Sequence, residues 1–248
     1  MYMKKLRKID VCLVTKNNVN TIKGLQYIPL NKLIIERTKP LGLARMRAIQ
    51  KVSTEWFAFI DDDVLILPKW FESLTKFIDK DIGAIQGIMR TYGFGEDMDK
   101  ELFLWELKNN KKIESINIGE RGFTHNTLIR TVLVRDWKPS RSDLSAFEDY
   151  ELTQHVLEKG FKWLIIPNFR ALHYKTWREL WTGTVWAIKG WKKIGNEKKI
   201  GNLRKLTTHP ARWIFRTVLL IFSPNISMKV KLYHVYYRIA CIYGMFSA

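Results

Sequence analysis

The sequence predicts an α/β protein with a doubly wound, mostly parallel sheet, and three observations support this fold class. Apolar runs of strand length alternate with segments whose apolar residues recur at helical spacing. The strand-like runs are continuously apolar, as expected for parallel strands buried on both faces. Three consecutive aspartates, Asp61 to Asp63, directly follow one of these runs. Ligands of such sheets bind beyond the carboxyl ends of the strands, so these acids mark a candidate site.

The predicted elements follow one another along the first part of the chain. The apolar runs predict strands at 9–15, 32–36, 56–60 and 82–89. Leu43, Met46 and Ile49 can share one face of a helix at 42–52. A second helix is predicted at 68–80, with Pro68 near its start, where a helix needs no backbone donor.

The positive charge of the chain is concentrated in its last third. The 248 residues hold 42 Lys and Arg against 24 Asp and Glu, a formal net charge of +18. Residues 175–248 contain 14 Lys and Arg against two Glu, a net charge of +12, together with five of the ten tryptophans. We therefore predict an α/β domain over residues 1–174, which carries the candidate site, and a basic, aromatic, helical tail over residues 175–248.

The cysteines and the N-terminus favour an intracellular setting. The two cysteines, Cys12 and Cys241, lie far apart and form no metal-binding spacing. The apolar run at 11–15 is too short for the core of a signal peptide. We therefore expect a reduced, intracellular environment.

The three aspartates suggest a divalent-metal site. In an extended segment, residues two apart face the same way, so Asp61 and Asp63 are expected to converge while Asp62 points elsewhere. Two carboxylates are a suitable half-site for Mg²⁺ or Mn²⁺, which are often held by one or two carboxylates together with substrate phosphates. The alternatives are a solvated acidic turn that caps the next helix and a flavodoxin-like phosphoacceptor pocket.

Four segments together resemble the family 2 glycosyltransferases, which have the GT-A fold. The segment STEWFAFIDDDVLILPKWFESL is similar to the DxD region of that family, and LGLARMRAI is similar to its arginine-containing helix. The segment FEDYELTQHVLEKGFK resembles the Glu-Asp motif, and IIPNFRALHY resembles the following strand with its histidine. The resemblance covers residues 9–175. The arginine helix departs from the family pattern at Met46 and Ala48.

The resemblance implies a reaction and the residues that perform it. It implies inverting transfer of a sugar from a UDP- or GDP-linked donor, with Mn²⁺ or Mg²⁺ as the cofactor. Asp61, Asp63 and His173 are the implied metal ligands. Asp149 is the implied general base, and Glu148 is the second implied catalytic residue, as an acceptor or orienting residue.

The resemblance also implies a set of donor-binding residues. Arg45 is expected to neutralise the diphosphate, because a guanidinium suits phosphate oxygens. Glu36 stands where the family commonly has an Asp that reads the base, and Asp61 is expected near the ribose. The remaining candidates for the nucleotide pocket are Thr15, Asn17 and Asp62. In the segment GERGFTHN, residues 119–126, His125 and Asn126 are candidates on the acceptor side.

The composition of the tail is typical of the membrane interface. The segments 211–222 and 232–246 are apolar and aromatic, with two arginines and one arginine respectively, and each is shorter than the ~20 residues of a full span. Basic and aromatic residues together suit helices that lie in the interface. We therefore expect binding to an anionic membrane surface, with short re-entrant spans or a helical appendage packed on the first domain as alternatives.

The acceptor and the location follow from this expectation. Nucleotide sugars of the resembled family are cytosolic, so we expect a peripheral or monotopic enzyme on the cytoplasmic face and a lipid-linked acceptor. The alternative function is a metal-dependent nucleic-acid-binding or phosphodiester-processing protein, which the net charge of +18 would suit. No helix-turn-helix, zinc or RNP-like pattern accompanies that charge, so no nucleic-acid partner is expected.

Overall fold

The computed structural model describes residues 8–17, 21–109, 117–119, 122–140, 147–198 and 210–247. The chain divides into two compact units. The first unit comprises residues 1–90 and 110–174, and the second comprises residues 91–109 and 175–248.

The strands are short and lie almost entirely in the first unit. Their bounds are β1 (Ile9–Val14), β2 (Leu30–Glu36), β3 (Trp56–Ile60), β4 (Val64–Ile66), β5 (Ile82–Gly87), β6 (Arg90–Tyr92), β7 (Asn117–Ile118), β8 (Asn126–Arg130), β9 (Lys162–Ile166) and β10 (Ala171–Tyr174). Within the described residues, seven of them form the central sheet in the order β2-β1-β3-β8-β5-β9-β7. β4 pairs with β10 in an antiparallel ladder outside this sheet.

The central sheet is mostly parallel. β1 is parallel to β2 and β3, and β5 is parallel to β9. β8 runs antiparallel between β3 and β5, and β7 runs antiparallel at the edge beside β9. The α/β fold class with a mostly parallel sheet is therefore confirmed. The sequence analysis had not identified the inserted strand β8.

Helices cover both faces of the sheet in the first unit. They are α1 (Leu41–Gln50), α2 (Trp70–Thr75), α4 (Thr131–Val134) and α5 (Glu148–Glu158), with a 3-10 turn at Leu25–Tyr27. All five residues of β3 are buried: Trp56, Ala58 and Ile60 belong to the core on one face, and Phe57 and Phe59 to the core on the other. Burial on both faces explains why the strands are continuously apolar. The helix predicted at 68–80 is shorter than expected and begins at Trp70.

A buried carboxylate fixes the start of β1, at the opposite end of that strand from the acidic cluster. Asp10 has no exposed surface. One of its oxygens accepts hydrogen bonds from the Ser53 amide and hydroxyl and from the Thr54 amide, at 2.5, 2.9 and 3.3 Å. The other accepts from Asn31 Nδ2 at 2.7 Å. Burial alone would raise the pKa of Asp10, but these bonds outweigh it and lower the pKa.

The second unit is helical. It contains α3 (Glu96–Asn109), α6 (Trp177–Lys198), α7 (Pro210–Phe222) and α8 (Met228–Phe246). Met98 and Leu102 of α3 are buried with Val230 of α8, and Ile188 of α6 is buried with Cys241 and Met245 of α8. Helix α3 precedes the boundary near residue 175 but packs with the C-terminal helices. Among the described residues, no helix combines the length and the apolarity needed to cross a membrane.

Candidate active site

The three aspartates form a turn between two strands. β3 ends at Ile60, β4 begins at Val64, and the Val64 amide donates to the Asp61 carbonyl at 3.2 Å. Because Asp61 to Asp63 are in a turn, the side-chain alternation of an extended strand does not apply to them. Each carboxylate instead contacts a different part of the first unit.

Asp62 joins the turn to the end of β1. Thr15, which is buried just after β1, donates its hydroxyl to Asp62 Oδ2. Asn17 donates from Nδ2 to the same oxygen at 2.9 Å and from its backbone amide to Thr15 Oγ1 at 3.0 Å. The structure therefore brings together three of the predicted nucleotide-pocket residues at the carboxyl edge of the sheet.

Asp61 belongs to a buried charge cluster with Arg45 and Glu148. Arg45 Nη2 lies 3.5 Å from Asp61 Oδ1, and Arg45 Nε donates to Glu148 Oε1 at 3.0 Å. Arg45 and Glu148 are both buried. Arg45 Nη1 is also buried and has no hydrogen-bond partner within the part of the chain that the structure describes. The guanidinium therefore contacts two carboxylates, while its Nη1 donor is unused within the described residues.

Burial dominates the titration of both acids in this cluster. It raises the pKa of Glu148 to about 7, against the opposing effect of Arg45, and neighbouring Asp149 raises it further. Burial also raises the pKa of Asp61, opposed by Arg45, while Asp63 adds to the increase. A positive charge beside Asp61 would favour its ionised form and so lower its pKa.

Asp63 is paired with His173. Strand β10 runs beside β4 with His173 opposite Val64, and the Tyr174 amide donates to the Asp63 carbonyl at 2.8 Å. This register brings His173 Nε2 to 2.8 Å from Asp63 Oδ2. The sequence analysis placed both residues in the metal site, and the structure puts them in contact.

The arrangement fits a divalent cation that is held in part by its substrate. Among the described residues, no group of three or more His, Cys, Asp or Glu side chains is arranged to hold a metal ion. Asp63 and His173 supply an oxygen and a nitrogen donor side by side, and Asp61 follows the same turn. Mg²⁺ and Mn²⁺ suit such incomplete sites, because phosphate oxygens and water supply the remaining ligands.

Asp149 and Glu148 begin helix α5 but have different surroundings. Glu148 is buried against Arg45, whereas Asp149 is only partly buried. Asp149 Oδ1 accepts from the Tyr150 amide at 2.8 Å, and its carbonyl accepts from Thr153 Oγ1 at 2.7 Å. The catalytic role predicted for Asp149 is compatible with this exposure. Glu148 is placed to position Arg45.

Glu36 holds the connection between β2 and α1. One of its oxygens accepts from the Thr38 amide at 3.1 Å and from the Thr38 hydroxyl, and the other accepts from Lys51 Nζ at 2.7 Å. Burial alone would raise the pKa of Glu36, but these donors outweigh it and lower the pKa to about 2. Recognition of the nucleobase by Glu36 stays a prediction.

The segment before β8 differs from expectation. Asn126 is fully buried. It accepts from Trp70 Nε1 at 2.5 Å and donates to the Gly87 carbonyl at 2.9 Å, so its side chain has a structural role in the core. The His125 ring stacks between those of Phe123 and His173. The sequence analysis missed Phe123, because this residue carries no charged or metal-binding group.

A family model and a solved structure are similar to this chain. The model of glycosyl transferase family 2 matches residues 15–133. Mannosyltransferase PcManGT from Pyrobaculum calidifontis, solved in complex with GDP-Man and Mn²⁺, superimposes with a TM-score of 0.59 at 11% identity, over 97% of this chain and 87% of that one. A search of curated sequences gave no significant match.

Two other solved structures are similar over a smaller part of this chain. A197 from STIV has a TM-score of 0.45 and 13% identity, over 69% of this chain and 87% of its own. GalNAc-T7 with UDP, GalNAc and Mn²⁺ has a TM-score of 0.47 and 14% identity, over 70% of this chain and 45% of its own. The family 2 model matches residues 15–133, just under half of the chain, and this match includes the acidic turn. The chain has the GT-A fold, which it shares with PcManGT.

Proposed function

We propose that this glycosyltransferase is an inverting, metal-dependent enzyme that uses a UDP- or GDP-linked sugar and a lipid-linked acceptor at a membrane surface. The observation that carries the catalytic part is the acidic turn, whose three carboxylates contact the end of β1, the Arg45–Glu148 pair and His173. A turn that only capped a helix would not need side-chain partners on three different elements.

The donor is proposed to lie over the ends of β1 and β2. Thr15, Asn17 and Asp62 form one hydrogen-bonded group there, and Glu36 ends the adjacent strand. Arg45 offers the unused Nη1 donor beside Asp61, which suits a phosphate oxygen. These residues bind the nucleotide and hold its diphosphate near Asp63.

Asp63 and His173 would hold the metal, with Asp61 beside them. Mn²⁺ or Mg²⁺ bound there would supply charge stabilisation for the departing diphosphate. PcManGT was solved with GDP-Man and Mn²⁺, which supports a nucleotide sugar and a divalent ion for this chain.

Asp149 is proposed as the general base. Its carboxylate would accept the proton of the acceptor hydroxyl as that oxygen attacks the anomeric carbon and the bond to the diphosphate breaks. Glu148 is unsuited to this role, because it is buried and already accepts from Arg45 Nε at 3.0 Å. The Glu148–Arg45 contact instead keeps the guanidinium beside Asp61.

The second unit presents apolar side chains that suit a lipid surface. On α8 the exposed apolar residues are Met228, Leu232, Ile239, Tyr243 and Phe246. At 100° per residue they fall within roughly 60° of one another around the helix axis. On α7 the exposed set is Ile214, Phe215, Val218, Leu219, Ile221 and Phe222. The net charge of +12 over residues 175–248 favours anionic headgroups.

A ligand screen tests the catalytic part. Thermal shift should show stabilisation of the full-length protein by UDP or GDP with Mn²⁺ and a smaller effect with a chelator. The stabilising nucleotide sugar should then release its nucleoside diphosphate when acceptor lipids are added. Lack of stabilisation by every nucleoside diphosphate, together with salt-dependent retention on nucleic acid, would instead favour the phosphodiester alternative.

A further inference from the structure

A cavity of about 300 Å³ lies between helix α2 and the segment that joins β9 to β10. Residues of both walls line it: Ser73, Lys76 and Phe77 from the helix and its C-terminal end, and Ile166, Asn168 and Arg170 from the end of β9 and the joining segment. Its volume is at the lower end of the range for small-ligand sites. None of the residues proposed above for the donor, the metal or the general base lines it. The cavity is therefore distinct from the proposed reaction centre.

The β4–β10 ladder separates this cavity from the proposed metal site. At one end of the ladder His173 contacts Asp63. At the other end Arg170 directly precedes β10, and its carbonyl accepts from the Leu67 amide, just after β4, at 2.9 Å. A ligand held between α2 and Arg170 would therefore lie at the opposite end of the ladder from the metal, and would not be the diphosphate of the donor.

Contacts of the protein itself hold the two walls of the cavity together. Asn168 Nδ2 donates to Ser73 Oγ at 3.1 Å, which joins the segment to α2. The Asn168 amide donates to the Ile166 carbonyl at 2.9 Å. Phe169 has a φ of 45°, in the left-handed region that a residue other than glycine adopts at an energetic cost. Such a conformation persists only where the surrounding contacts fix it, so the cavity is preformed.

Two cationic side chains reach this cavity. Lys76 and Arg170 both line it, and both are exposed. Among the residues that the structure describes, neither side chain forms an ion pair, and Glu72, four residues before Lys76, does not pair with it. Lys76 Nζ instead lies 5.0 Å from the centroid of the Phe77 ring. No lining residue is acidic. The cavity therefore combines positive charge with apolar surface.

We infer that this cavity is a binding site for a phosphate monoester, held between Lys76 Nζ and the Arg170 guanidinium. A phosphate monoester carries a charge of about −1.5 to −2 at pH 7, which two cations match. The planar guanidinium suits paired hydrogen bonds to phosphate oxygens, and the lysine adds a point charge. Phe77 and Ile166 offer apolar surface to the group that is esterified to the phosphate. A soluble phosphate ester and a lipid with a phosphate monoester headgroup both present this chemistry.

Calorimetry on the full-length protein in EDTA tests this site, because the chelator removes any metal that would recruit phosphate to Asp63. The probes are phenyl phosphate, inorganic phosphate and phenol. Phenyl phosphate should bind more tightly than inorganic phosphate, and phenol should bind least. Lys76→Gln and Arg170→Gln should each weaken binding of phenyl phosphate roughly 3- to 10-fold. Lys100→Gln, which removes an exposed lysine of α3, is the matched control and should bind like wild type.

Vesicles that contain phosphatidic acid distinguish the two sources of a phosphate monoester. If the lipid headgroup is the ligand, Lys76→Gln should float less well than Lys100→Gln, although the two variants have the same net charge. If a soluble ester is the ligand, the two variants should float alike, while binding of phenyl phosphate still depends on Lys76.

The site is disproved if wild-type protein does not bind phenyl phosphate in EDTA, or if both cavity variants bind it as tightly as wild type. Binding that occurs only with Mn²⁺ would place the phosphate at the metal centre instead. Equal weakening by Lys100→Gln would show attraction by the net charge of the chain and no site at the cavity. Because the replaced side chains are exposed, the variants should unfold at the same temperature as wild type, so a loss of binding would not reflect unfolding.

Discussion

His173 Nε2 lies 2.8 Å from Asp63 Oδ2, although 110 residues separate the two along the chain. The contact depends on the antiparallel register of β10 with β4. It gives the acidic turn a nitrogen donor that no neighbouring residue of the sequence could supply.

Replacement of Asp63 tests the metal site. Asp63→Asn keeps the shape of the side chain but removes a charged oxygen ligand, so nucleoside diphosphate affinity in Mn²⁺ should fall by ~10–100-fold. Calorimetry with Mn²⁺ and with a chelator measures this. With chelator the variant and wild-type proteins should bind alike, and an unchanged affinity in Mn²⁺ would exclude Asp63 as a ligand.

Replacement of Asp149 tests the general base. Asp149→Asn removes the proton acceptor and should lower the rate of transfer by ~10²–10⁴-fold while donor affinity stays the same. Glu158→Gln, which alters an exposed carboxylate at the other end of α5, is the control. Near-normal transfer by Asp149→Asn would show that another residue is the general base. The sequence offers Asp143 for this role, which lies outside the described residues.

The Glu36–Lys51 pair predicts a pH-dependent contribution to stability. The pKa of Glu36 is lowered from 4.5 to about 2, so its contribution is complete above pH 4.5 and is lost as the pH falls through about 2. Glu36→Gln should therefore lower the free energy of unfolding by about 1–2 kcal/mol at pH 7, a modest value because Lys51 is half exposed. Urea unfolding at pH 7 and pH 3 should show a smaller difference at the lower pH.

Asp10 should matter for stability and not for ligand binding. Asp10→Asn would replace the carboxylate that accepts from Ser53 and Thr54 with a neutral amide group. This change should lower the free energy of unfolding by about 2–3 kcal/mol. Chemical denaturation measures this, and nucleotide affinity of the folded variant should equal that of wild type. A changed affinity would show that Asp10 affects the site at the other end of β1.

Two exposed residues of α7 test the proposed membrane contact. Phe215 and Leu219 are 63% and 56% exposed. Replacing both with Ser should lower partitioning onto anionic liposomes by at least ~10-fold, because apolar burial in the interface is lost. Flotation measures this, with Val132→Ser as the control. Equal flotation of wild type and the double variant would mean that α7 does not contact lipid.

The sequence was sufficient for four of the seven strands of the central sheet, β1, β2, β3 and β5, and for the position of the acidic turn. β1 and β3 are continuously apolar because both of their faces are buried, and this pattern is visible without a structure. β8 was missed because its sequence, NTLIR, mixes polar and apolar residues. Its polar Asn126 and Thr127 are buried nevertheless, because the core supplies hydrogen-bond partners that the sequence does not reveal.

The contacts of the site were harder to predict than its residues. Glu148 and Arg45 were both identified, but their mutual ion pair joins residues 103 positions apart. The expected convergence of Asp61 with Asp63 assumed an extended segment, whereas the chain turns at these residues. Phe123 lacks any charge or metal-binding group, so only its stacking with His125 drew attention to it.

The pairing of β10 with β4 also has a consequence for the order of folding. Asp62 meets Thr15 over a separation of 47 residues, whereas Asp63 meets His173 over 110. Contacts between distant residues form late, because a long loop must close before they contribute to stability. During synthesis on the ribosome, the Thr15–Asp62 contact can therefore form well before the Asp63–His173 contact. A nascent chain released before residue 171 would lack His173 and its strand, and on the proposed function it would be inactive even with a complete β1–β3 core.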